Sequence, residues 1–195
     1  MNYCTLDEIK SELNITSDAY DDIIMLDIEA VKISFDSPGG RSFDTVATTK
    51  YYDGTDSTLY IDDLVSITGE NDGIFLDEDG DRAYEVTLAS TDYILYPLNR
   101  TPKTKVIIDT INGTYSSFAW GIKQGVKITA TWGYQSTVPA DIKKVAIIQA
   151  CRWFKRKDSA FQDAVGSPET GELLVYKSLD PDVKLVLDKY REIGV

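Results

Sequence analysis

The stretch WGYQSTVPADIKKVAIIQACRWFKRKD runs from Trp132 to Asp158. It begins where an alternating segment, GVKITATW (Gly125–Trp132), reads as a β-strand. Gly133-Tyr134 turns the chain, and Pro139 opens a helix, because proline near the first helical position loses no hydrogen bond. Ile142, Val145, Ala146, Ala150 and Trp153 then recur at helical spacing, widened by Ile147, Ile148 and Phe154. The period thus changes from two to 3.6 within a few residues, and the chain passes from a β region to a helical one. The helix ends on Arg152, Lys155, Arg156 and Lys157, set around Trp153 and Phe154. Arg152, Lys155 and Arg156 fall at i, i+3 and i+4 and share one side. The helix dipole favours cations there, which accounts for part of the cluster. An acidic patch on a partner subunit or a nucleic acid would account for the rest.

The charge of the whole chain sharpens that choice. Its 195 residues carry a net charge of −12. Residues 1–100 hold 6 Lys+Arg against 22 Asp+Glu, a balance of −16, while residues 101–195 hold 14 against 10, a balance of +4. A general DNA-wrapping protein needs clustered cations, so the acidic half argues against that class. It suits a protein that must stay soluble at high local concentration, or one that faces DNA without adhering to it. A second copy of the chain is a natural acidic partner for the basic helix end, and a contact between unlike patches generates a ring.

On the N-terminal side, Thr5-Leu6-Asp7-Glu8 has the pattern of a capping box, with Leu6, Ile9 and Leu13 along one face. A second helix starts at Ser17 or Asp18, with Asp21 and Asp22 in its first turn. Ile23, Ile24, Leu26, Ala30, Val31 and Ile33 form its broad apolar stripe, and SPGG (Ser37–Gly40) stops it. From Phe43 the pattern alternates. TVATTKYYDG, STLYID, LVSITG, GIFLDEDG, AYEVTL, DYILYP, KVIIDT and GVKITATW read as seven or eight short strands. Turns at Asp62-Asp63, Asn71-Asp72-Gly73, Asp79-Gly80, Asn99-Arg100 and Asn112-Gly113 separate them. Beyond the basic helix, the loop GSPETG (Gly166–Gly171) precedes an extended LLVYK, and Asp180-Pro181-Asp182 caps a last helix carrying Val183, Leu187 and Tyr190. The expected fold class is α+β: a helical domain of about four helices with an inserted antiparallel β barrel or sandwich. The expected boundaries are 1–42 for the N-terminal helices, 43–133 for the β domain and 134–195 for the C-terminal helices, with a docking segment from about 172. Both helical parts are too small to fold alone and should share one core.

Few residues point to chemistry. The chain has no histidine, which removes the commonest general base and the commonest metal ligand. The expectation is a protein that is not an enzyme and holds no cofactor or metal. DEDGDRAYE (Asp77–Glu85) looks like a calcium loop, but counted from Asp77 its glycine is fourth and its twelfth position is Leu88, so a solvated hairpin tip fits better. SPGGR lacks the lysine of a phosphate-binding loop. Tyr51, Tyr52, Tyr60, Tyr84, Tyr93 and Tyr96 could face a sugar, although such residues more often pair across strands. Cys4 and Cys151 read as free thiols. No run is long and apolar enough to span a membrane, and MNYCTLDEIK lacks the features of a leader, so synthesis inside a cell is expected.

Three stretches resemble the head–tail connector (adaptor, or head-completion) proteins of long-tailed bacteriophages. YCTLDEIKSELNI (Tyr3–Ile15) is similar to the family's first helix. WGYQSTVPADIKKVAIIQACRWFKRKDS (Trp132–Ser159) is similar to its Gly-Tyr turn, Val-Pro-x-x-Ile-Lys segment and aromatic-basic helix end. LDPDVKLVLDKYRE (Leu179–Glu192) is similar to the closing helix, and the middle of the chain resembles the β insertion of larger members. The resemblance implies a structural virion protein, assembled in the host cytoplasm and placed at the head–tail interface. It would form a homo-oligomeric ring, a dodecamer, beneath the portal protein. That ring would meet the next head-completion, neck or tail-terminator protein, and genomic DNA would pass through its lumen without sequence-specific contact. On this reading Arg152, Lys155, Arg156 and Lys157 meet a neighbouring subunit, and Leu179, Val183, Leu187 and Tyr190 dock on the portal. The competing reading is a carbohydrate- or host-binding β module of a phage tail or baseplate, which would display its aromatics on one sheet face.

Overall fold

The computed structural model describes residues 2–36, 41–157, 164–166, 173–175 and 179–191. The helix stop at Ser37–Gly40, most of the GSPETG loop, Tyr176 and Lys177 lie outside the described residues. The chain divides into two compact units, Met1–Ser42 with Val138–Val195, and Phe43–Thr137. The fold is α+β; the described residues form four α-helices, one curled antiparallel sheet and a separate two-stranded ribbon.

In the first unit, α1 (Leu6–Leu13) starts on the capping box: Glu8 N–H donates to the Thr5 hydroxyl, and Thr5 N–H donates to the Glu8 carboxylate. Asn14 ends it in the left-handed conformation. Ser17 caps a single 3₁₀ turn, Asp18–Tyr20, which runs into α2 (Asp21–Asp36). The buried residues of α2 are Ile24, Ile28, Val31 and Phe35, at i, i+4, i+7 and i+11. The broad stripe expected from sequence is therefore split. Ile23, Leu26 and Ile33 point outward with Met25, because consecutive helical residues are about 100° apart and one core can take only one side.

Helix α3 (Ala140–Arg156) packs against α1, α2 and α4 (Pro181–Tyr190). Pro139 is its cap, one residue before the first helical position, and its carbonyl accepts from Lys143 N–H. Ile142, Val145, Ala146, Gln149, Ala150 and Phe154 are buried. The one polar member is satisfied, since the Gln149 side-chain oxygen accepts from Asp180 N–H at 3.0 Å. Asp180 in turn caps α4 by accepting from Asp182 N–H. A two-stranded ribbon, β8 (Ala164–Gly166) with β9 (Leu173–Val175), lies between α3 and α4 in sequence.

The second unit is a seven-stranded half-barrel of β1 (Val46–Tyr52), β2 (Thr58–Ser66), β3 (Gly73–Leu76), β4 (Val86–Thr87), β5 (Tyr93–Tyr96), β6 (Lys103–Ile108) and β7 (Val126–Trp132). β7 is central. β1 lies along its full length, from Val46 opposite Trp132 to Tyr52 opposite Val126. β3 pairs with Val126–Thr129, and β2 pairs with Thr131 and Trp132. β2 also pairs with β6, and β6 with β5. STLYID and LVSITG are thus one strand, not two. Asp62-Asp63 makes no turn but lies at a register shift where β2 leaves β6 for β7. Asp62 is held there by Lys50 and the Tyr52 hydroxyl, and the Asp63 carbonyl accepts from Gly133 N–H. Side chains alternate down β7, with Val126, Ile128, Ala130 and Trp132 buried. They join Leu59, Leu64, Ile74, Leu76, Val106 and Phe118 in one core. Among the described residues no helix is long and apolar enough to cross a membrane.

Candidate functional site

The basic end of α3 is held from two sides, by the cap of α4 and by the 3₁₀ turn that precedes α2. Arg152 forms an ion pair with Asp180, the cap of α4. Lys157 lies over the rings of Tyr20 and Phe154, at 3.7 and 3.6 Å from their centroids. Tyr20 and Phe154 themselves meet edge to face, with centroids 5.7 Å apart. Burial raises the Asp27 carboxyl above its ordinary value, and the Lys157 charge opposes that rise. Arg156 is half-buried. Lys155 is exposed and makes no ion pair with a described residue. The four cations singled out in the sequence are therefore close in space but unequal: Arg152 and Lys157 knit the helices together, and Lys155 points away from them.

The C-terminal set has the opposite character. Val183 is fully buried, Leu179 and Leu187 are half-buried, and the Tyr190 hydroxyl donates to the Asp141 carboxylate at 2.7 Å. The Tyr190 carbonyl accepts from Arg41. These residues hold α4 onto its own unit. The outward apolar residue of that helix is Leu185, 67% exposed, which a reading of the helical stripe alone passes over.

A larger outward face lies on α2. Met25, Leu26 and Ile33 are 54%, 67% and 62% exposed and line a shallow groove with Asn2, Asp22, Glu29 and Lys32. The signal was present in sequence: Ile23-Ile24-Met25-Leu26 is apolar around the whole helix circumference, so some of it must face away from the core.

In the β unit, the carboxylates of Asp77, Asp79, Asp81 and Glu85 gather within 4.8 Å of one another. The turn itself engages the three aspartates. Asp77 accepts from the Gly80 and Arg82 N–H groups, Asp79 from Asp81 N–H and Asp81 from Ala83 N–H. Burial would raise the Asp77 carboxyl, but those N–H donors hold it below its ordinary value. The tyrosines divide. Tyr51 and Tyr60 are exposed, Tyr51 against Tyr84 at 5.8 Å, whereas Tyr52 packs on Trp132 and donates to Asp62. Trp120, 76% exposed in the connection between β6 and β7, is an exposed aromatic that strand periodicity gives no way to single out.

No protein-family model and no curated protein matches the sequence. The fold does have solved counterparts. It is similar to a chain of the neck of an empty GTA particle computed with C6 symmetry, with a TM-score of 0.59 and 12% identity over 97% of this chain and 90% of that one. It is also similar to a chain in the virion of a native gene transfer agent (GTA) particle, with a TM-score of 0.54 and 16% identity over the same shares. At these identities the likeness is one of fold, and it extends over the helical and β units together.

Proposed function

We propose that the chain is a structural neck protein of a phage-like particle, a head–tail connector that forms a ring beneath the portal and extends the DNA channel. The observation that carries this reading is a fold likeness over 97% of the chain to a neck component, which coincides with the connector-like order of the helical motifs. The charge distribution supports it: an acidic chain lining or flanking a lumen lets DNA slide rather than bind. The partners are further copies of itself, the portal protein, the next neck or tail component, and DNA in transit. The C-terminal segment is the proposed portal-docking element. Because Val183 and Tyr190 are committed inward, its outward Leu185 is the residue to test.

Native mass spectrometry of the full chain, alone and mixed with the portal of its own particle, tests the reading. A ring-sized species or a stoichiometric portal complex is expected. A monomer in both samples overturns it.

A further inference from the structure

The neck reading leaves open which surfaces of the chain meet in a ring. We infer that the outer face of α2 is the acceptor half of a head-to-tail contact between copies of this chain, and that the Lys155 end of α3 is the donor half. The inference rests on the ring reading above. The acceptor is both apolar and acidic. Leu26 and Ile33 stand seven residues apart, Met25 lies beside Leu26, and Asp22 and Glu29 occupy the same side of the helix. Asp22 and Glu29 are exposed and have no ion pair or hydrogen bond among the described residues. Among the described residues the one cation that lines the groove, Lys32, is already held by Asp36 at 2.7 Å. An exposed apolar patch with a charged rim is the usual make-up of a protein contact.

Charge selects the occupant. Nucleic acid and anionic lipid would be repelled by Asp22 and Glu29. Two α2 faces meeting one another would set like charges together. The exposed cation at the end of the basic helix that can answer the face is Lys155, since Arg152 is held by Asp180 and Lys157 by Tyr20 and Phe154. Within one copy it cannot serve, because α3 packs on the inner side of α2, where Ile24, Ile28, Val31 and Phe35 lie. The outer side can meet a Lys155 only from a second copy. Unlike surfaces on one chain then repeat around an axis, which is the geometry that closes a ring.

The test uses the full chain and native mass spectrometry, with circular dichroism to confirm unchanged helix content. Glu29→Lys alone and Lys155→Glu alone should each weaken self-association by about tenfold or more, because each puts like charges across every contact. An equimolar mixture of the two single variants should assemble again, since each supplies the charge that the other lacks. Leu26→Asp should weaken assembly and find no such complement. If both charge variants assemble like the wild type, or if the mixture stays dissociated while each variant remains folded, this pairing of surfaces is wrong and the ring reading stands. If the wild type itself forms no ring alone or with portal, the neck reading fails and takes the inference with it.

Discussion

Gly133 sits at φ 134°, and a β-carbon built there would stand 2.3 Å from the Asp44 carbonyl oxygen. Both facts forbid a side chain. Gly133→Ala should cost about 2 kcal/mol or more, read as a lower denaturation midpoint of the β unit; an unchanged midpoint would mean that the backbone there can relax. Asp180 has two duties at one position, capping α4 and pairing with Arg152. Asp180→Ala should lose about 2 kcal/mol, while Asp180→Asn keeps the cap acceptor and should lose less. Equal losses in urea melts would show that the cap contributes nothing. The sequence displayed the cap, because Asp-Pro-Asp is a local signal. It did not display the pairing, because Arg152 and Asp180 are 28 residues apart and only the packing of α4 on α3 joins them.

At the scale of elements, α2 has two apolar faces with different fates. Ile24 is fully buried and Leu26 is 67% exposed. Ile24→Ala should therefore destabilise by about 2–5 kcal/mol, through lost burial and a residual cavity. Leu26→Ala should stay within about 0.5 kcal/mol in the dissociated chain. Comparable costs in thermal melts would mean that the outer face is covered within the monomer. The capping box of α1 makes a smaller claim: Thr5→Ala should cost about 1 kcal/mol. Element types were legible in the four α-helices and the β unit, since the period-two and period-3.6 patterns are local, whereas the three-residue strand β8 carries too short a pattern to read. Strand continuity was not. Asp62-Asp63 has the composition of a turn, yet Lys50, Tyr52 and Gly133, all from β1 or the end of β7, hold it as a bend inside β2.

At the scale of the whole molecule, several carboxyls are held below their ordinary values. Glu8 is lowered by its hydrogen bonds to Lys143 and Thr5, Asp53 by Lys123 and Gln124, and Asp109 by Asn112 and Ile111. Each folded form binds its proton less readily than the unfolded chain does. Their contribution is thus complete above the ordinary carboxylate range and is lost as the pH falls through it. Asp27, raised by burial, works in the opposite direction, but it is one group against several. At the alkaline end, burial lifts the Cys4 thiol from 9.0 to about 11, helped by the Glu8 charge and by Cys151. Its contribution is complete below pH 9.0 and is lost as the pH rises towards about 11. The melting temperature should therefore hold between about pH 5 and 9 and decline on both sides. A Cys4→Ala variant that also removes the alkaline decline would assign that limb to the thiol; a decline unchanged in the variant would exclude it.

What the sequence by itself determined was whatever depends on near neighbours: the α–β–α order, the caps at Thr5 and Asp180, the alternation along β7, the cationic end of α3 and the acidic first half. These follow from helical and strand periods and from side chains reaching backbone groups a few residues away. What only the tertiary structure decided was which side of each element is spent. Ile24 went inward and Leu26 outward, Arg152 went to Asp180 and Lys157 to Tyr20, Val183 was buried and Leu185 left exposed. Two strand-like segments also became one bent strand. Those outcomes depend on groups brought together from distant parts of the chain, and a core can close over only one face of a helix.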